Sequence, residues 1–127
     1  AIFDWSTYPM DFIDNSFSAI KKIYPNLRIN SYGHIGDGNI HLNVLPPKEI
    51  SKFDFLKNNP KVIEEVRMAI NETTHSLGGS ISAEHGIGRL KIKDLEMYAN
   101  KARLKAIKSI KSAMDPNNIM NPGVIVS

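Results

Sequence analysis

Residues 31–43 read SYGHIGDGNIHLN, with two histidines around a glycine-rich centre, and residues 80–91 read SISAEHGIGRLK, with a glutamate and a histidine side by side. His34, His41, Glu84 and His85 are the residue types from which metal and acid–base chemistry is built. The chain has no cysteine, which excludes disulfides, thiolate zinc sites and a cysteine nucleophile. Any transition-metal site must therefore use imidazoles and carboxylates. Two imidazoles and one carboxylate form a facial set that holds Zn²⁺, Mn²⁺ or Fe²⁺ and leaves coordination positions open for substrate. An ion held that way polarises a substrate oxygen and lowers the pKa of a bound hydroxyl, and a neighbouring imidazole can take the proton. His85, next in sequence to Glu84, is well placed for that task.

For any one histidine the competing reading is a hydrogen-bonded, partly buried ring with no special role. Clustering weighs against it, because three of the four histidines lie in or beside glycine-rich turns where the loops of an α+β sheet converge. His75 falls on a helix and is assigned no role. The two segments are about forty positions apart, so only the fold can bring them together.

The elements that must do so are legible in the periodicity. IFDWSTY at 2–8 reads as a strand, and Ile13, Phe17, Ile20 and Tyr24 then recur at helical spacing until Pro25. LRINSYG at 27–33 is a second strand, GHIGDG a turn, and NIHLNV at 39–44 a strictly alternating strand. That alternation sends Ile40, Leu42 and Val44 to the core and puts Asn39, His41 and Asn43 together on the opposite face. LPPKEISKFDFLKNNP is expected to be a packed loop carrying Phe53 and Phe55. A helix beginning near Pro60 shows the stripe Val62, Ile63, Val66, Ala69, Ile70 and Thr73 and stops at Gly78-Gly79. SISA at 80–83 is expected as a short strand, and a last helix carries Leu104, Ile107, Ile110 and Met114 up to Asp115-Pro116. Strand, helix, strand, strand, helix, strand is the order of an α+β, ferredoxin-like antiparallel sheet with helices packed on one face, here followed by a C-terminal helix and tail.

At 127 residues, with 42% apolar and 23% charged residues, the chain is expected to form a single domain over 1–127. It shows no transmembrane or secretory segment. Its net charge of +3 is concentrated at 89–111, where eight Lys and Arg face only Asp94 and Glu96. Such a run is a solvated face or an attractor of anions. Nucleic acid is not an expected partner, since the run lacks interleaved aromatics and a reader motif. Gly86-Ile87-Gly88 lacks the third glycine of a dinucleotide fingerprint and the ending of a P-loop, so its glycines are read as a tight turn behind His85. No G-x-S-x-G elbow supports serine hydrolysis.

Three stretches in order, GHIGDGNIHLNV (33–44), SISAEHGIGRLK (80–91) and DPNNIMNPG (115–123), together resemble the C-terminal part of the FAD-linked oxidases that include D-lactate, D-2-hydroxyglutarate and glycolate dehydrogenases. The resemblance spans essentially the whole chain. It implies a flavoprotein with an N-terminal FAD-binding domain and a cap, or substrate, domain whose ferredoxin-like sheet covers the flavin ring. This chain would be the last part of that cap plus the C-terminal tail, and its start at Ala1, without an initiating Met, agrees with a fragment. By the same resemblance His34, His41 and Glu84 match the ligands of a divalent metal, Zn or Mn. Asn43 matches a polar contact to the substrate, His85 the general base that removes the proton from the 2-hydroxyl, and Asn121 a segment running beside the flavin.

The partners so implied are a small 2-hydroxy acid, the FAD-binding domain, and an electron acceptor that the sequence does not identify. The fragment alone is expected to be inactive, and its uncovered apolar surface to favour a homo-oligomer. The expected location is cytoplasmic or peripheral to the inner membrane in a bacterium and mitochondrial in a eukaryote, not secreted. The reading kept beside this one is a non-catalytic ferredoxin-like metal-binding or protein-interaction module.

Overall fold

The computed structural model describes residues 2–4, 9–34, 36–82 and 84–126. The chain divides into two compact units, residues 1–84 and 85–127, and is α+β. The first unit holds strand β1 (Ile2–Asp4), helix α1 (Pro9–Ile23), strands β2 (Arg28–His34) and β3 (Asn39–Leu45), and helices α2 (Lys52–Asn58) and α3 (Val62–Ser76). The second holds helices α4 (Ile92–Tyr98) and α5 (Lys101–Met114) and the C-terminal tail.

The sheet has the order β1-β3-β2, with both outer strands antiparallel to β3. β1 and β2 are therefore parallel, joined by α1 and separated by one strand, which is the split βαβ arrangement of a ferredoxin-like sheet. Of the strand expected over 2–8, Ile2–Asp4 is present and 5–8 lie outside the described residues.

The alternation of β3 sorts its side chains as its period requires: Ile40 and Leu42 are buried in the core and Val44 packs against it. α1 contributes Phe12 and Ile20, and α3 contributes Val62, Val66 and Ile70, so both long helices cover this one face. Ile20, Leu42 and Ile70 are essentially inaccessible, each side chain contributing about 1.5–3 kcal/mol of transfer free energy. The two helices are also tied by Tyr24, whose hydroxyl donates to Glu65 Oε2 at 2.5 Å. That hydrogen bond, with burial and the nearby carboxylate charge, raises the phenol's pKa above 10.0.

Four expectations are corrected. The loop over 45–60 contains α2, whose N-cap Ser51 accepts from the Asp54 backbone N–H at 3.1 Å. SISA does not form a ladder: Ser80 makes an isolated bridge, and the Ser82 N–H turns back to Ser80 Oγ at 3.3 Å, the local side-chain bond that competes with strand pairing; Ala83 lies outside the described residues. Ile63, at the start of α3, is exposed. In α5, which Asn100 caps by accepting from Ala102 N–H at 2.7 Å, Leu104 and Ile107 are half-buried while Ile110 and Met114 face solvent. Among the described residues no helix is long and apolar enough to cross a membrane.

Candidate metal and substrate site

The uncovered face of the sheet is assembled by register. In the β2–β3 ladder His34 pairs with Asn39, Tyr32 with His41 and Asn30 with Asn43, and directly opposed residues share a face. Tyr32, His34, Asn39, His41 and Asn43 therefore lie together opposite the helices. Glu84, the last residue of the first unit, meets them.

The Nε2 atoms of His34 and His41 lie 3.9 and 3.8 Å from the same oxygen, Glu84 Oε1, and one ligand atom from each residue falls within 4.8 Å of the others. Donors about 2.0–2.2 Å from a tetrahedral ion stand roughly 3.4 Å apart, so each histidine–glutamate pair needs to close by only about half an ångström. The donor set and its spacing fit a divalent transition metal. The His34 and Glu84 side chains are 66% and 44% exposed and that of His41 only 12%; the group thus has one anchored imidazole and an open side through which a small molecule can reach it.

Two further residues hold this group. Asn39 is 4% exposed and its Nδ2 donates to Glu84 Oε1, while its buried Oδ1 has no hydrogen-bond partner among the described residues. Leaving a buried acceptor unpaired costs about 1–3 kcal/mol. Tyr32 stacks on His41 with ring centroids 4.8 Å apart and planes 5° from parallel, whereas the His34 ring meets His41 edge-on at 6.2 Å and 69°. The alternation of residues 39–44 places Asn39 on this polar face without giving it a role, and Tyr32 does not stand out in the sequence. A four-residue connection between His34 and Asn39 is the signal that finds them, because it sets the register that puts tyrosine opposite histidine.

Asn43 is exposed on the same face as His41. His85 opens the second unit and is exposed. The glycines that follow it adopt left-handed backbone, Gly86 at φ 66 and Gly88 at φ 55, and the Gly88 carbonyl accepts from Ile125 N–H at 2.9 Å. The loop is a turn pinned by the C-terminal tail rather than a phosphate cradle.

The tail is organised by Asp115. Its carboxylate accepts from Lys111 Nζ at 2.5 Å, from Ile119 N–H at 2.8 Å and from Met120 N–H at 3.0 Å, and Lys111 also donates to the Met120 carbonyl. Asn118 and Asn121 follow at φ 50 and 49, backbone that asparagine tolerates better than most residues. Asn121 is exposed, which leaves its amide open to a neighbouring group. Elsewhere in the basic stretch Lys108 lies 3.9 Å from Glu96.

The sequence pattern of the family described as FAD linked oxidases, C-terminal domain, matches residues 7–125. Similar proteins include the D-2-hydroxyglutarate dehydrogenase of Stutzerimonas stutzeri, 40% identical over 114 residues covering 90% of this chain and 24% of that protein. The glycolate oxidase subunit GlcD of Bacillus subtilis is 36% identical over 96% of this chain and 25% of its own length. The D-lactate dehydrogenase of Archaeoglobus fulgidus is 37% identical over 79% of this chain and 20% of its own. The chain thus spans about a quarter of the length of the curated relatives it matches. With the match running through the β2–β3 hairpin, Glu84-His85 and the Asp115 turn alike, the chain belongs to the FAD-linked oxidases, as their C-terminal domain.

Proposed function

We propose that this chain supplies the metal-holding and proton-abstracting part of an FAD-dependent dehydrogenase of small D-2-hydroxy acids. The observation that carries the reading is the convergence of two imidazole Nε2 atoms on one oxygen of Glu84. The substrate class is supported by the names of the relatives, since 2-hydroxyglutarate, glycolate and lactate are all 2-hydroxy acids.

His34, His41 and Glu84 would hold the divalent ion, zinc or manganese, and the rest of the protein would hold most of FAD, with Asn121 beside it. When bound, the ion supplies Lewis acidity to the carboxylate and hydroxyl oxygens of the substrate, and FAD supplies the two-electron acceptor. The chain's own residues have narrower tasks. Asn43, exposed beside His41, offers an amide to orient the substrate. His85 takes the proton of the 2-hydroxyl, general-base work worth about 10²–10⁴ in rate. By itself the chain is inactive, because the electron acceptor is held elsewhere; the protein that reoxidises the flavin is left unnamed.

The test is made on the protein expressed from its complete reading frame. Flavin reduction is followed with D-2-hydroxyglutarate, D-lactate and glycolate, before and after dialysis against a chelator. Turnover of at least one of the three acids, lost on chelation and restored by zinc or manganese, is the expected result. Full turnover in the His41→Ala, Glu84→Ala double variant overturns the metal reading.

A further inference from the structure

We propose that Asn39 and Tyr32 are positioning residues that set Glu84 and His41, respectively, in the geometry a metal requires; the inference rests on the metal reading above. Glu84 needs such a device. It follows residues 81–82, which belong to no ladder, and its side chain is 44% exposed, so nothing in its own backbone pairing aims the carboxylate. Asn39 is fixed at the first rung of the ladder, opposite His34. Its Nδ2 donates to Oε1 of Glu84, the same oxygen that both imidazoles face.

The partnerless Oδ1 strengthens the point. Among the described residues no other hydrogen bond orients this amide, and turning it over would set a carbonyl oxygen against the carboxylate. The residue type fits the task, since aspartate would repel Glu84 and an apolar side chain has no donor. Tyr32 does for His41 what hydrogen bonding does for Glu84. Directly opposite in register and stacked within 5° of parallel, its ring holds the plane of the imidazole, the plane in which Nε2 lies 3.8 Å from Glu84 Oε1. The role inferred for each is positioning and not ligation: Asn39 meets Glu84 through its Nδ2, which has no free lone pair, and the tyrosine meets His41 through its ring face.

The experiment measures zinc affinity by competition with a chromogenic chelator, in the protein expressed from its complete reading frame, with metal-free thermal melting alongside. Asn39→Leu and Tyr32→Ala are each expected to weaken zinc binding about 10–100-fold, the usual effect of losing a residue that orients a ligand, while stoichiometry at saturation is kept. Tyr32→Phe, which keeps the stack, retains wild-type affinity. In a Glu84→Ala background Asn39→Leu has no further effect, whereas Tyr32→Ala still does. Asn39→Ser, too short to reach Glu84, repeats the test if the leucine variant fails to fold, and Tyr32 is exposed enough for substitution to leave folding intact. Wild-type zinc affinity in the folded Asn39 variants or in Tyr32→Ala overturns that residue's role. A wild-type protein that takes up neither zinc nor manganese overturns the metal reading and this inference with it, so the two failures are told apart by the wild type alone.

Discussion

A β-carbon built on Gly33 would stand 2.0 Å from the carbonyl oxygen of Asn39 and 3.0 Å from the Cα of Ile40. The β2–β3 ladder closes beside the site because residue 33 has no side chain, and the obstacle is backbone that has nowhere to go. Gly33→Ala is therefore expected to push the strands apart where His34 faces Asn39, at a cost of about 3 kcal/mol, the upper end for overpacking. Gly36→Ala is the control, since a β-carbon there meets nothing within 4 Å; its effect should stay within about 0.5 kcal/mol. Urea denaturation of the two variants checks both figures, and equal stability would show that the strands yield at Gly33.

Asn43 is exposed on the site face of the central strand, so its replacement should leave the fold alone. Loss of a hydrogen bond to a charged substrate group is worth about 1.5–3 kcal/mol, or roughly 10–100-fold in kcat/KM. Asn43→Ala is expected to show that loss with zinc affinity and melting temperature unchanged. A variant that loses zinc instead would make Asn43 part of the metal's support.

His85→Ala should separate proton removal from metal binding. In the complete protein the expected outcome is full zinc occupancy with flavin reduction slowed about 10²–10⁴-fold. An unchanged rate of flavin reduction, measured by stopped flow, removes the base assignment.

Where periodicity reports burial directly, the fold was legible. Ile20, Leu42 and Ile70 sit where helical and strand spacing put them, and all three are in the core. The misses share a cause: spacing describes a stripe without saying whether anything covers it. Ile110 and Met114 continue the stripe of Leu104 and Ile107 yet face solvent, and Ser80 diverts the Ser82 N–H from a strand that composition favoured. Short α2 buries no residue, so it left no stripe to read. At the site, His34, His41 and Glu84 were selected by residue type, and register brings the two histidines onto one face. The reason for Gly33 was not legible, because a close approach between strands leaves no mark on local conformation.

Asp115 gives the C-terminal turn a predictable response to acid. The hydrogen bond from Lys111, foremost, holds its carboxyl below the ordinary value of 3.8; burial opposes this, and the Ile119 and Met120 amides add to the lowering. The folded chain thus favours the ionised form, and around that value the unfolded chain binds more protons. The resulting stabilisation is complete above the ordinary value and is lost as pH falls through the lower folded value. Asp115→Asn removes the charge that Lys111 answers, so the variant should unfold at lower urea than wild type at about pH 6, with the gap closing as pH falls below the ordinary value and wild type also becomes neutral at this position. Exchange of the Ile119 and Met120 amides, which donate to this carboxylate at 2.8 and 3.0 Å, should quicken in the variant at the higher pH. A urea gap that stays constant down to the acid end would mean that Asp115 acts by shape and hydrogen bonding alone, with no contribution from its charge.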